Sequence, residues 1–258
     1  MTKQLASTIY GPVQSWRLGL SLGVDLLCVD SICSFECVYC QLGKINRVTS
    51  KREVFVPTKK VLADLQNSAW QSADVITFSG SGEPTLAANL GEVIAEIKNL
   101  THKPVIVLTN STLLNDPQVR RELSKADKIF CKLDAWSNSI LARVNHPHEG
   151  ISLEAIVSGI FELRREFEGF LAIQTMILRP PQRFETEKLA QILQAIQPDE
   201  VQLNLPKRPV PREYFTETRG NAVEFRSGFA HIKTIAKSEL ENVCAKLSEL
   251  TKLPIITR

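Results

Sequence analysis

The sequence predicts an α/β fold made of parallel strand–helix–strand units. Three observations lead there. Apolar runs of strand length recur six times along the 258 residues. Between them lie stretches with apolar residues at i, i+3 and i+4, the helical repeat. Strands that alternate with helices pair in parallel, either as a partial barrel or as an open doubly wound sheet.

The strand runs, in order, are LSLGVDLLCV (20–29), DVITFSG (74–80), PVIVLTN (104–110), KIFCKLDA (128–135), FLAIQTMIL (170–178) and EVQLNLP (200–206). The first helix is TKKVLADLQNSAW (58–70), with Thr58 as its N-cap after Pro57. LAANLGEVIAEIKNL (86–100), SLEAIVSGIFELRREFE (152–168) and ETEKLAQILQAI (185–196) carry the helical repeat. Asp116-Pro117 opens a shorter helix that runs to about Lys125.

Composition bounds the class. Hydrophobic residues make up 43% and charged residues 23%, enough for a core that folds without staples. A net charge of +3 neither demands nor excludes a polyanionic partner. No run of 18 apolar residues marks a membrane span, and MTKQLASTIYGPVQSW lacks the apolar stretch of a secretory signal. A cytoplasmic location is expected. Thiols stay reduced there, so clustered cysteines bind metal or do chemistry rather than pair.

Odd and even residues of a strand face opposite sides. Phe130, Lys132 and Asp134 therefore share a face, as do Gln174 and Met176, Gln202 and Asn204, and Thr77 and Ser79. A buried parallel strand should read as nearly unbroken hydrophobics. Polar groups near the C-terminal ends of several strands point instead to a site at that end, where α/β barrels build theirs. An unpaired buried Lys132 would be costly, so it faces a wet cavity, meets a carboxylate or marks an anion site.

Half of the six cysteines fall in CSFECVYC, residues 33–40. The spacing of Cys33, Cys37 and Cys40 is C-x3-C-x2-C. Three thiolates on one short loop can hold three irons of a [4Fe–4S] cube and leave the fourth iron open to a small molecule. The competing reading is structural zinc, completed by Cys28 or a distant histidine; such sites usually show C-x2-C pairs across a longer gap. Cys28, Cys131 and Cys244 sit in apolar surroundings and read as packing residues.

Cys33-x3-Cys37-x2-Cys40, with Tyr39 before the last cysteine, is followed some forty residues on by Gly80-Ser81-Gly82-Glu83-Pro84. This pair of motifs resembles the radical S-adenosylmethionine (radical SAM) superfamily, with Ser81 where a glycine is more usual. The resemblance implies a partial (β/α)6 TIM-type barrel with a C-terminal helical extension. It makes residues 1–258 one radical SAM domain, the barrel at about 18–206 and the extension at about 207–258. It also implies a [4Fe–4S] cluster on the three cysteines, with S-adenosylmethionine chelated at the open iron. One electron then cleaves the C5′–S bond to give methionine and a 5′-deoxyadenosyl radical, which takes hydrogen from a substrate. Tyr39, Gly80, Ser81, Gly82, Glu83, Pro84, Asn110, Asp134, Gln174 and Asn204 are the expected cofactor-binding positions. No residue is assigned a catalytic role.

YGPVQSWRLGLSLGVDLL, KLDA, NHPH and VQLNLPKRP further resemble a group related to tRNA wyosine-forming enzymes. That group implies a tRNA-modifying activity and a second cluster on upstream cysteines; none precedes Cys28 here. The expected partners are a small or nucleotide-like substrate, an external electron donor of flavodoxin or ferredoxin type, and tRNA as a second candidate. Lys132, Arg179, Lys207, Arg208 and Arg212 would favour an anionic substrate. Lys44, Arg47, Lys51 and Arg52 form a basic stretch that would touch phosphate or simply be solvated. His146 and His148 flank Pro147 in a turn, either exposed or offering acid–base groups. A non-catalytic iron–sulfur electron carrier is the alternative from another class; it would not need GSGEP.

Overall fold

The computed structural model describes residues 6–28, 30–212 and 228–257. Val29, which closes the first apolar run, lies outside the described residues. One mixed sheet carries eight strands: β1 (Ile9–Ser15), β2 (Gly19–Val24), β3 (Val75–Phe78), β4 (Val105–Thr109), β5 (Lys128–Lys132), β6 (Phe170–Met176), β7 (Glu200–Asn204) and β8 (Ile255–Thr257). They lie side by side in chain order. β1 and β2 form an antiparallel hairpin, and every later neighbouring pair is parallel. The crossovers run through α1 (Thr58–Gln66), α2 (Leu90–Thr101), α3 (Pro117–Leu123), α4 (Asn138–Val144), α5 (Leu153–Glu166), α6 (Arg183–Ile196) and α7 (Lys237–Thr251). No described helix is long and apolar enough to cross a membrane.

All six expected strands form, and two more join them. β1 interrupts its pattern with Gly11 and Pro12 and shifts register between Tyr10 and Val13, which hides the alternation. β8 is three residues long and too short to show a period. The C-terminal stretch is therefore not only helical: α7 returns the chain to the sheet, where Ile255 pairs with Val201.

Helix starts differ where capping decides. Thr58 is the first helical residue rather than the cap, because Pro57 takes the extended cap position; the Thr58 hydroxyl instead accepts from Asn89 Nδ2 at 3.0 Å. The 86–100 stretch becomes a short 3-10 turn, Pro84–Leu86, and then α2, because the Glu83 side chain caps the turn on Thr85 N at 3.1 Å. Asp116 and Ser152 cap α3 and α5 through Gln118 N and Ala155 N.

Strand parity sorts the sheet into two faces. Leu22, Ile76, Val107, Cys131, Ile173 and Val201 pack in the main core with the helices. On the other face, Ile106, Phe130 and Ala172 form a smaller cluster joined by Leu18 from the β1–β2 hairpin. Farther along the strands this second face turns polar. Lys132 stands opposite Gln174, and Gln174 opposite Gln202. Arg17, also in the hairpin, donates to Gln202 Oε1 at 3.0 Å and so links the first two strands to the seventh.

Candidate functional site

The cysteine loop leaves β2 and is pinned from two sides. On one side lies the 80–83 loop: Ile32 N donates to Ser81 O at 2.9 Å, and Glu83 N donates to Ile32 O at 3.1 Å. Gly82 has φ +155°, and a Cβ there would meet Ile32 O at 1.6 Å. Its glycine is required by this backbone contact. Gly80, at φ +135°, packs on the Asp25 side chain, where a Cβ would stand 2.5 Å from Cγ. Asp25 explains the serine between them, because its Oδ2 accepts from Ser81 Oγ at 2.6 Å and from Ser81 N at 3.2 Å. On the other side lies the turn after α4. Glu36 N donates to Asn145 O at 2.9 Å, Val38 N to Val144 O at 2.9 Å and His148 N to Ser34 O at 2.8 Å. His146 is exposed and His148 half-buried, so this turn serves the site with its backbone.

Glu83 is buried and fully engaged. Its carboxylate accepts from Thr85 N, Thr85 Oγ1, Thr109 Oγ1 and Asn110 N, at 2.6 to 3.1 Å. Burial pushes its pKa up, and these hydrogen bonds pull against that rise. Pro84 starts the turn behind it. Asn110 Nδ2 reaches Ser34 Oγ at 2.8 Å and Cys33 Sγ at 3.5 Å, while Thr112 donates to its Oδ1.

A second network lies beside Cys37. The Tyr39 hydroxyl donates to Asp134, whose carboxylate also accepts from Asn145 Nδ2 at 2.9 Å and Met176 N at 2.8 Å. Lys132 Nζ lies 3.5 Å from Asp134 Oδ1 and 4.9 Å from the Tyr39 ring centre. Its partly buried charge is thus met by a carboxylate, one of the outcomes read from the strand. Asn145 Nδ2 also lies 3.3 Å from Cys37 Sγ.

Not every expected residue joins this cluster. Gln174 Nε2 bonds Gln202 Oε1 at 2.9 Å, and Asn204 sits half-buried with its amide on Gln202 O at 3.3 Å. Arg179 is held by Glu185 at 2.6 and 2.7 Å at the start of α6. Arg208 reaches back to Gln41 at 2.9 Å, next to Cys40, while Lys207 and Arg212 are exposed. In the basic stretch, Arg47 and Lys51 pair with Glu53, and Arg52 pairs with Glu122. Sequence reasoning missed Asp25, Thr109 and Asn145. Asn145 was visible only as the residue before HPH.

All three loop thiols are free and lie close enough for their charges to interact. Burial raises each of them: Cys33 well above the usual thiol range, Cys37 to about 12, and Cys40 in the same direction. Such thiols ionise only when a strong cation arrives, and a metal supplies one. Among the described residues, no three His, Cys, Asp or Glu side chains are grouped as tightly as one metal ion requires. Three neighbouring thiols on one loop, with amide N–H donors facing Cys33 and Cys37, fit a cluster that gives each sulfur its own iron.

A family model described as the radical SAM superfamily matches residues 29–196. The chain belongs to the radical SAM superfamily. It is therefore an enzyme, and membership implies a [4Fe–4S] cluster and S-adenosylmethionine; the electron-carrier alternative is set aside. A UPF0026 protein of Synechocystis is 48% identical over 250 residues, covering 96% of this radical SAM chain and 94% of the relative. A UPF0026 protein of Methanocaldococcus jannaschii is 33% identical over 211 residues, covering 80% of this chain and 65% of that one. The crystal structure of Streptococcus suis SuiB bound to S-adenosylmethionine superposes with a TM-score of 0.64 at 14% identity, over 93% of this chain and 50% of SuiB. That likeness is one of fold.

Proposed function

We propose that this radical SAM enzyme holds its [4Fe–4S] cluster on Cys33, Cys37 and Cys40, and acts on a small or nucleotide-like substrate above the polar ends of β5 to β7. The observation that carries this reading is three half-buried thiols, pinned on one loop between the 80–83 and 144–148 turns. When bound, the cluster and S-adenosylmethionine supply one-electron reductive cleavage to methionine and a 5′-deoxyadenosyl radical. The chain does the rest. The thiols bind the cluster; the sheet and helices exclude water from it. Gly80, Ser81, Gly82, Glu83 and Pro84 form the wall beside Cys33, where backbone groups meet the cosubstrate. Glu83 keeps that wall rigid, because its carboxylate is tied to Thr85, Thr109 and Asn110. Tyr39, Asn110, Asp134, Gln174 and Asn204 orient the cosubstrate. Lys132, the partly exposed cation beside Asp134, is the favoured contact for a substrate anion, with Lys207 and Arg208 beyond it.

The same reading takes the chain as one domain. Support for a partial (β/α)6 TIM-type barrel comes from the chain-order parallel strands and from the Arg17–Gln202 bond, which draws β1–β2 toward β7. A tRNA-modifying activity of the wyosine type is the narrower alternative, drawn from the NHPH and VQLNLPKRP segments. Mobility shift of bulk tRNA across a salt titration separates it from a small-molecule activity.

Protein reconstituted without oxygen should hold about four irons per chain with the broad charge-transfer absorbance of a cubane. Replacing Cys33, Cys37 or Cys40 with alanine should abolish both the cluster and 5′-deoxyadenosine formation. Unchanged iron in those variants refutes the reading.

A further inference from the structure

The geometry points to Asn145 as a positioning residue: its side-chain amide donates a hydrogen bond to the Cys37 sulfur and thereby raises the reduction potential of the bound cluster. The inference rests on the proposed assignment of Cys37 as a cluster ligand.

Asn145 is 1% exposed and closes α4, where its own N–H bonds Leu141 O at 2.9 Å. Its carbonyl receives Glu36 N at 2.9 Å, so the residue is fixed to the loop that carries Cys37. Its Nδ2 lies 2.9 Å from Asp134 Oδ2, 3.3 Å from Cys37 Sγ and 3.5 Å from the Tyr39 hydroxyl. The orientation of the amide follows from chemistry. A carboxylate accepts only, so a flipped amide would set oxygen against oxygen. The NH2 group has two hydrogens. One goes to Asp134. The Tyr39 oxygen, at 3.5 Å, is beyond the usual N–H···O range, whereas 3.3 Å is close for the larger sulfur atom, so Cys37 takes the second. The other end of the amide has no comparable engagement: Oδ1 is buried without a protein partner. Asn145 also lines a cavity of about 10 Å³, together with Lys132, Asp134 and Phe35 among others. An amide held with its acceptor unpaired is aimed by its donor.

A hydrogen bond to a cluster sulfur stabilises the reduced form, which carries the extra negative charge, more than the oxidised form. Asn110 approaches Cys33 in the same way, at the longer distance of 3.5 Å. It also gives its backbone N–H to Glu83, so a change there would disturb the 80–83 loop as well. Asn145 is the cleaner probe.

The test is Asn145→Leu, which keeps the size and removes the donor, in the iron-loaded protein under anaerobic conditions. Dye-mediated redox titration, followed by the electron paramagnetic resonance of the reduced cluster, gives the midpoint potential. The expected result is a cluster about tenfold harder to reduce, a drop of about 59 mV for one electron, with iron content unchanged. A variant with wild-type iron and a wild-type potential overturns the inference. If Asn145→Leu does not take up iron, wild-type holoprotein labelled with 15N-asparagine decides. Asn110 carries the same label near Cys33, so pulsed resonance of the reduced cluster must then show two 15N couplings, the stronger from the nearer Asn145, and a spectrum with one coupling or none overturns the inference. A wild-type protein lacking a cubane, or a Cys37→Ala protein that keeps one unchanged, overturns the ligand assignment instead.

Discussion

Gly82 packs its α-carbon against the carbonyl of Ile32, one residue before the first loop cysteine, so closely that a Cβ would stand 1.6 Å from the oxygen. The glycine-rich turn and the cysteine loop are thereby one unit. Gly82→Ala should cost more than the roughly 1–3 kcal/mol of a disfavoured backbone conformation, because backbone must also move. Urea unfolding reads the loss, and iron uptake should fall with it. Wild-type stability and iron content in this variant would contradict the contact.

Asp134 and Lys132 form an unequal pair. Asp134 is buried and accepts three hydrogen bonds; the Lys132 side chain is 24% exposed. Asp134→Leu should lose about 1–3 kcal/mol or more, because it removes the acceptor of the Tyr39, Asn145 and Met176 donors. Lys132→Met should cost at most about 1 kcal/mol, as partly exposed ion pairs do. Thermal unfolding of both variants gives the ranking, and a larger loss in Lys132→Met would reverse it.

Arg179 gives two hydrogen bonds to Glu185 and holds its carboxyl down, from an ordinary 4.5 to about 2. A lowered acid pKa means that the unfolded chain binds the proton first as pH falls. The pair's stabilisation is therefore complete above about pH 4.5 and fades as pH drops toward 2. Glu185→Gln should lower stability at neutral pH and flatten that part of the acid limb. Parallel acid-unfolding curves for variant and wild type would show that the pair contributes nothing.

Arg17 joins the β1–β2 hairpin to Gln202, and Leu18 beside it enters the cluster of Ile106, Phe130 and Ala172. Arg17→Ala should cost about 1.5–3 kcal/mol, the range for a hydrogen bond that involves a charged group. Leu18→Ala should cost a comparable amount through a packing defect. Denaturant midpoints test both; an unchanged midpoint in Arg17→Ala would make the bond incidental.

The local chemistry was legible in the residues. Strand runs such as PVIVLTN and the periodic stretch 152–168 carry their own pattern, so their element types follow from short-range spacing. Asp116-Pro117 and Ser152 capped helices as their chemistry requires. CSFECVYC declared a set of thiols by spacing alone. The parity of Phe130, Lys132 and Asp134 put the pair near Tyr39 on the strand face away from the main core.

Other features depended on residues far apart in the chain. Nothing near Ser81 announces Asp25, 56 positions earlier, and nothing near Cys37 announces Asn145, 108 positions later. Arg179 looked like a free cation until α6 placed Glu185 against it. β1 and β8 acquire strand character from the neighbours they pair with. Spacing and polarity are properties of a segment, and they fixed which groups could act. Which groups meet is set by how the crossovers fold back, because a hydrogen bond forms within about 3 Å whatever the length of chain between its partners.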